Sequence, residues 1–201
     1  MFISKKFVVS WERETSESYD LIWQIPNDKF PKLESIKEVI VKEHERAVLF
    51  ASGVTTKILT PGNHQIPKGI TEIVWVDVSP KKCPFGICKD SNLLLTNDGK
   101  RIGISGFINL KVREDESSIR LFFKRIVAGQ KTFNCDQLVE WLLKGLLSSV
   151  FHDIIGKFSS DEISKTNMTR FGDLVLAGIS EELSKYGLEA SSIHIVGIVG
   201  L

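Results

Sequence analysis

From Arg101 to Val112 apolar and polar positions alternate with a period of two. Ile102, Ile104, Ile108, Leu110 and Val112 fall on one side, and Gly103, Ser105, Asn109 and Lys111 on the other. That alternation predicts a strand with one buried and one solvated face, as in an antiparallel sheet. Leu93 to Thr96 forms the preceding strand, and Asn97-Asp98-Gly99-Lys100 has the turn chemistry of a hairpin. Earlier runs rich in β-branched residues predict strands at Val39 to Val41, Ala47 to Phe50, Val54 to Leu59 and Ile73 to Val78. Ser52-Gly53 and Pro61-Gly62-Asn63-His64 are turns between them, and Pro80 and Pro84 end the last. The first 35 residues are irregular. Short strands fit at Val8-Val9 and Leu21 to Trp23, a polar loop at Thr15 to Ser18, and breaks at Pro26 and Pro31. This stretch reads as an arm, residues 1–38, packed on a main domain at 39–201.

After Val112 the period changes. A helix capped by Ser117 or Ser118 is expected through about Val127, ending at Gly129. A longer one, capped by Asn134 or Asp136, is expected from Gln137 to Ile155. Glu140, Lys144, Ser148 and His152 recur along it every four residues as a polar stripe. The rest of that helix is apolar over an arc wider than one sheet face requires, which predicts burial on two sides. Its candidate interaction surface is Trp141, Leu142, Leu146 and Phe151. Ser159-Ser160-Asp161-Glu162 has the form of a capping box. A last helix is expected from about Met168 to Tyr186, stopping at Gly187, and a final strand from Ile193 to Leu201. Strands, then helices, then a strand predict an α+β fold: a curved, mostly antiparallel sheet with helices packed on one side.

Composition narrows the class without changing that picture. Of 201 residues, 42% are hydrophobic and 25% charged, which is globular rather than disordered. The net charge of +1 gives no overall field toward nucleic acid or an anionic bilayer. Cys83, Cys88 and Cys135 are too few, and odd in number, for a disulfide framework, which points to a reducing, cytoplasmic setting. No stretch approaches the roughly 18 apolar residues of a spanning helix, so contact with a membrane is expected only at its periphery.

Three groups carry candidate chemistry. Cys83 and Cys88 bracket four residues, and with His64 they suggest a metal- or thiol-dependent enzyme. Zinc sites use tighter cysteine pairs, and free cysteines are commonly small apolar core residues. Phe122-Phe123-Lys124-Arg125 interleaves aromatic and basic residues, as a single-strand binder does. At helical spacing the same residues make a buried phenylalanine with a solvated cationic tip. His44, His64, His152 and His194 stand in no metal-ligand spacing, and neither a nucleophile motif nor a phosphate loop is present. The residues therefore name no catalytic group, metal or cofactor.

Several segments together resemble a known family. Val41-Lys42-Glu43-His44-Glu45-Arg46-Ala47-Val48, followed by Leu59-Thr60-Pro61-Gly62-Asn63-His64, resembles the opening of the SPFH (band 7) domain of stomatins, prohibitins and flotillins. Leu95-Thr96-Asn97-Asp98-Gly99 is similar to the family's hairpin, and Tyr186-Gly187-Leu188 precedes a closing strand as it does there. The resemblance runs from about Val39 to Val199. Trp11-Glu12 and Ile22 to Pro26 are similar to a soluble prokaryotic, virion-core-like branch in which an arm replaces the membrane anchor. In that branch the segment around Cys83 to Ile87 is structural. Neither the hydrophobic anchor nor the trailing coiled coil of stomatins is read in these residues, and the apolar end Ile198 to Leu201 leads us to expect further residues beyond it.

The resemblance implies a non-catalytic scaffold that forms a homo-oligomer and recruits protein partners at a membrane periphery. It implies no small-molecule substrate, no nucleic acid and no cofactor. The residue-level alternatives stay beside it: the enzyme at Cys83, Cys88 and His64, and the nucleic-acid module at Lys124-Arg125.

Overall fold

The β-branched runs become strands and the later helical periods become helices, in a computed structural model that describes residues 7–13, 19–30, 32–91 and 94–200. The expected loop at Thr15 to Ser18, the break at Pro31, and Leu93 and Leu201 lie outside the described residues. The chain divides into two units, one of residues 1–79 and 114–134, the other of 80–113 and 135–201. It therefore crosses between them at Ser79, Arg113 and Asn134.

Among the described residues the first unit holds two sheets. One orders β1 (Phe7–Ser10), β3 (Ile36–Val41) and β6 (Gly62–Gln65), with β1 parallel to β3. The other orders β2 (Ile22–Ile25), β7 (Glu72–Asp77), β4 (Glu45–Ala51) and β5 (Val54–Leu59), all antiparallel. Their shared core contains Val9, Trp11, Val39, Leu49, Ile73 and Trp75. The Trp75 indole N–H meets the Ile40 carbonyl at 3.2 Å, as a buried indole requires. Val74 and Val76 on β7 are buried as well, so that strand is covered on both faces. Helix α1 (Glu116–Phe122) runs straight into a π-helical turn (Phe123–Val127) that ends at Ala128 and Gly129, both with positive φ. Its cap is Asp115, which accepts the Ser118 amide at 2.9 Å, rather than the expected serines. A carboxylate there also complements the helix dipole.

The second unit has one antiparallel sheet in the order β10 (Leu188–Val199), β9 (Gly103–Val112), β8 (Lys81–Ile87). The β9 alternation is borne out: Ile104, Ile108, Leu110 and Val112 are buried. The segment after Pro80, where Pro84 signals a break, is instead strand β8. It lies at the sheet edge, where Pro84 can turn its missing N–H away from the ladder. The expected strand at 93–96 reduces to a bridge between Leu95 and Arg101. The single long helix expected from Gln137 to Ile155 is two, α2 (Cys135–Leu143) and α3 (Leu146–Ile155). Gly145, at φ −137° and ψ −94°, breaks the helical path between them. The wide apolar arc is thereby explained: α2 buries Leu138, Val139 and Leu142, and α3 buries Leu147, Phe151 and Ile155, each on its own face. Helix α4 (Ser160–Lys165) carries the expected capping box of Ser159 and Glu162, and α5 (Met168–Ser184) packs on β10. At Gly172 an added Cβ would sit 2.1 Å from the Ile193 carbonyl oxygen, so only glycine lets helix and strand approach this closely.

Candidate interaction site

The four residues expected to form a contact surface separate by burial. Leu142 and Phe151 are fully enclosed, and Phe151 packs on Phe85 with centroids 5.5 Å apart. Trp141 and Leu146 are half-buried on either side of the helix break. The Trp141 ring meets Tyr186 edge-on at 4.7 Å. Of the four, only Trp141 and Leu146 keep accessible surface, and Tyr186 beside Trp141 is likewise half-buried.

Cys83 and Cys88 do not converge. Their odd separation along extended chain sends them to opposite sides, and Cys83 is buried while Cys88 is exposed. The Cys83 thiol is hydrogen-bonded with Cys135, and that contact together with burial raises its pKa, which suppresses the reactive thiolate. His64 belongs to the first unit, where its Nε2 meets the Thr60 carbonyl at 2.7 Å. Among the described residues, no three His, Cys, Asp or Glu side chains gather as a metal site needs. Lys124 and Arg125 are exposed and Phe122 is fully buried. Among the described residues no helix is long and apolar enough to cross a membrane.

Two features of the first unit escaped the sequence reading. One is a buried ionic cluster. Glu45 and Asp77 are both inaccessible, and the Arg13 guanidinium reaches Asp77 at 2.9 Å and Glu45 at 3.5 Å. Arg13 also lies over the Trp11 ring at 4.2 Å, and the Lys42 ammonium holds the Trp11 carbonyl at 2.6 Å. Burial raises the Glu45 pKa, against the pull of the Lys42 amide and of Arg13. The cluster ties Arg13 and Trp11 to β4 and β7.

The other is a cleft of about 620 Å³ between the four-stranded sheet and the α1–π segment. This volume lies within the usual range of binding cavities. Arg120, Phe123, Lys124 and Val127 line it at i, i+3, i+4 and i+7, one continuous stripe. Across from them stands a row of the sheet: Glu72 pairs with Phe50, and Phe50 with Thr55. Phe50 and Phe123 close the middle, edge-on at 6.0 Å. Arg120 reaches the Thr55 carbonyl at 3.4 Å and is paired with Glu116 at 2.7 Å. Burial raises the Glu72 pKa, and the charge of Lys131 opposes this only in part. The stripe was visible in the sequence, but a core helix shows the same spacing.

The model of the SPFH domain / Band 7 family matches residues 39–199 of the chain. No curated protein matches the chain.

Proposed function

Because the chain belongs to the SPFH (band 7) family, whose domains generally serve as scaffolds associated with membranes and are generally not enzymes, we propose that it is a non-catalytic scaffold that self-associates and recruits protein partners. The family match across 39–199 is the observation that carries this reading. In it, residues 1–38 act as an arm on the domain at 39–201, supported by the seating of Trp11 and Arg13 against Glu45 and Asp77. The self-contact is the patch of Trp141, Leu146 and Tyr186, whose half-buried aromatic pair suits the centre of an interface. The setting is cytoplasmic, peripheral at a membrane surface. Light scattering coupled to size exclusion across a concentration series tests this. An oligomer that Trp141→Glu and Leu146→Glu dissociate is the expected result. A monomer at every concentration overturns self-association, and an oligomer indifferent to both substitutions overturns the patch.

A further inference from the structure

The cleft of the first unit has a direction. Arg120 sits over β5, where it reaches Thr55, and Lys124 follows one helical turn later. Beyond the π turn the chain crosses toward β2, where the Phe133 carbonyl accepts the Leu21 amide at 2.8 Å. The helical segment therefore passes over β5, β4, β7 and β2 in the order in which the strands pair. The Arg120 guanidinium stands at the β5 end, the two phenylalanines over β4, and the Glu72 carboxylate on β7. At the lip Val54 is 66% exposed, an open apolar entrance.

We infer that this cleft docks a short extended segment of a partner protein, carrying an acidic residue, a bulky apolar residue and a basic residue at every second position. The charge order of the cleft sets the charge order of the segment. The acidic side chain meets Arg120, the apolar one enters between Phe50 and Phe123, and the basic one reaches Glu72. The spacing follows from strand geometry. The row from β5 to β7 covers two inter-strand steps, about 9–10 Å, and alternate side chains of an extended chain lie about 6.6 Å apart on one face. Three alternate side chains thus cover the row and the reach of Arg120 beyond it. A cation from the partner also supplies the counter-charge that burial leaves wanting at Glu72. The π turn places Phe123 and Lys124 on the cleft wall, and such turns recur at functional sites. The inference rests on the reading that the chain recruits protein partners, and it names what one site selects.

The test uses the full chain and fluorescein-labelled peptides in anisotropy titrations. Glu-Ser-Phe-Ser-Lys is compared with its doubly acidic and doubly basic versions and with an alanine-centred version. The mixed-charge peptide is expected to bind at least tenfold more tightly than the other three. Glu72→Lys should move the preference to the doubly acidic peptide, and Arg120→Glu, at an exposed position, should move it toward the doubly basic one. Circular dichroism confirms that each variant is folded. Absence of binding up to millimolar protein, or a ranking that neither substitution changes, overturns the inference. Light scattering reports self-association independently, so loss of peptide binding and loss of the oligomer are separate results.

Discussion

Asp98 and Ser160, 62 residues apart, share two hydrogen bonds: the carboxylate accepts the serine hydroxyl at 2.7 Å and its amide at 3.1 Å. The Asn97 amide adds a bond to the Phe158 carbonyl at 2.9 Å. The hairpin turn is thereby tied to the start of α4, where a carboxylate is also favoured by the exposed amides of the helix end.

Hydrogen bonds from the Thr96 and Ser160 hydroxyls pull the Asp98 pKa down to about 2, below its ordinary value of 3.8. A depressed carboxylate contributes stability above its unfolded pKa and loses it as pH falls through the folded one. The melting temperature of Asp98→Asn should therefore lie below that of the natural protein at pH 5, with the gap closing between pH 4 and 2. A gap independent of pH over that range would refute the tie.

Gly172 and Gly106 each approach a β10 carbonyl so closely that a Cβ would lie 2.1 Å from Ile193 O or His194 O. Backbone on both sides leaves no flexible side chain to yield. Gly172→Ala and Gly106→Ala should each destabilise by about 1–3 kcal/mol, the usual cost of overpacking. Gly86→Ala, where a Cβ meets nothing within 4 Å, should stay near neutral. Urea unfolding of the three variants measures the contrast.

Phe151 and Trp141 lie on neighbouring helices but serve different purposes. Phe151→Ala empties a fully buried site against Phe85 and should cost about 3–5 kcal/mol. Trp141→Ala loses the edge contact with Tyr186, about 0.5–1.5 kcal/mol beyond its share of buried area. Equal losses in chemical denaturation would show that Trp141 is also a core residue.

Arg13→Met removes the guanidinium that reaches both buried carboxylates, Glu45 and Asp77, which should destabilise by about 3–5 kcal/mol near neutral pH. Burial raises the Glu45 pKa, so the native state binds that proton more tightly than the unfolded chain does. That contribution is complete below the unfolded pKa of 4.5 and is lost as pH rises through the folded value. The penalty of Arg13→Met should shrink as the pH is lowered toward 4.5 and Glu45 becomes neutral. A penalty that grows on acidification would contradict this account.

Local rules made part of this fold legible. The two-residue alternation from Ile102 to Val112 and the Ser159–Glu162 box are set by neighbours in sequence, and both appear as expected. Strand β8 was missed because Pro84 signals a break, and only a position at the sheet edge makes it tolerable. The division of α2 from α3 rests on Gly145 alone, within an apolar run that otherwise continues. The cleft and the Arg13 cluster join residues far apart in sequence: Arg120 faces Thr55, and Arg13 faces Asp77. Sequence shows the charge of each residue but not which distant residue will stand opposite.

The three crossings between the units fix an order of completion during synthesis. Residues 1–79 leave the ribosome without α1 and the π turn, so the outer face of the four-stranded sheet stays bare until residue 134 has emerged. The 80–113 hairpin then waits for β10, which arrives only with residues 188–199, to complete its sheet. Until residue 134 the nascent chain exposes an apolar sheet face, and from β9 until β10 arrives it exposes an unpaired edge, the surfaces on which incomplete chains stick to one another.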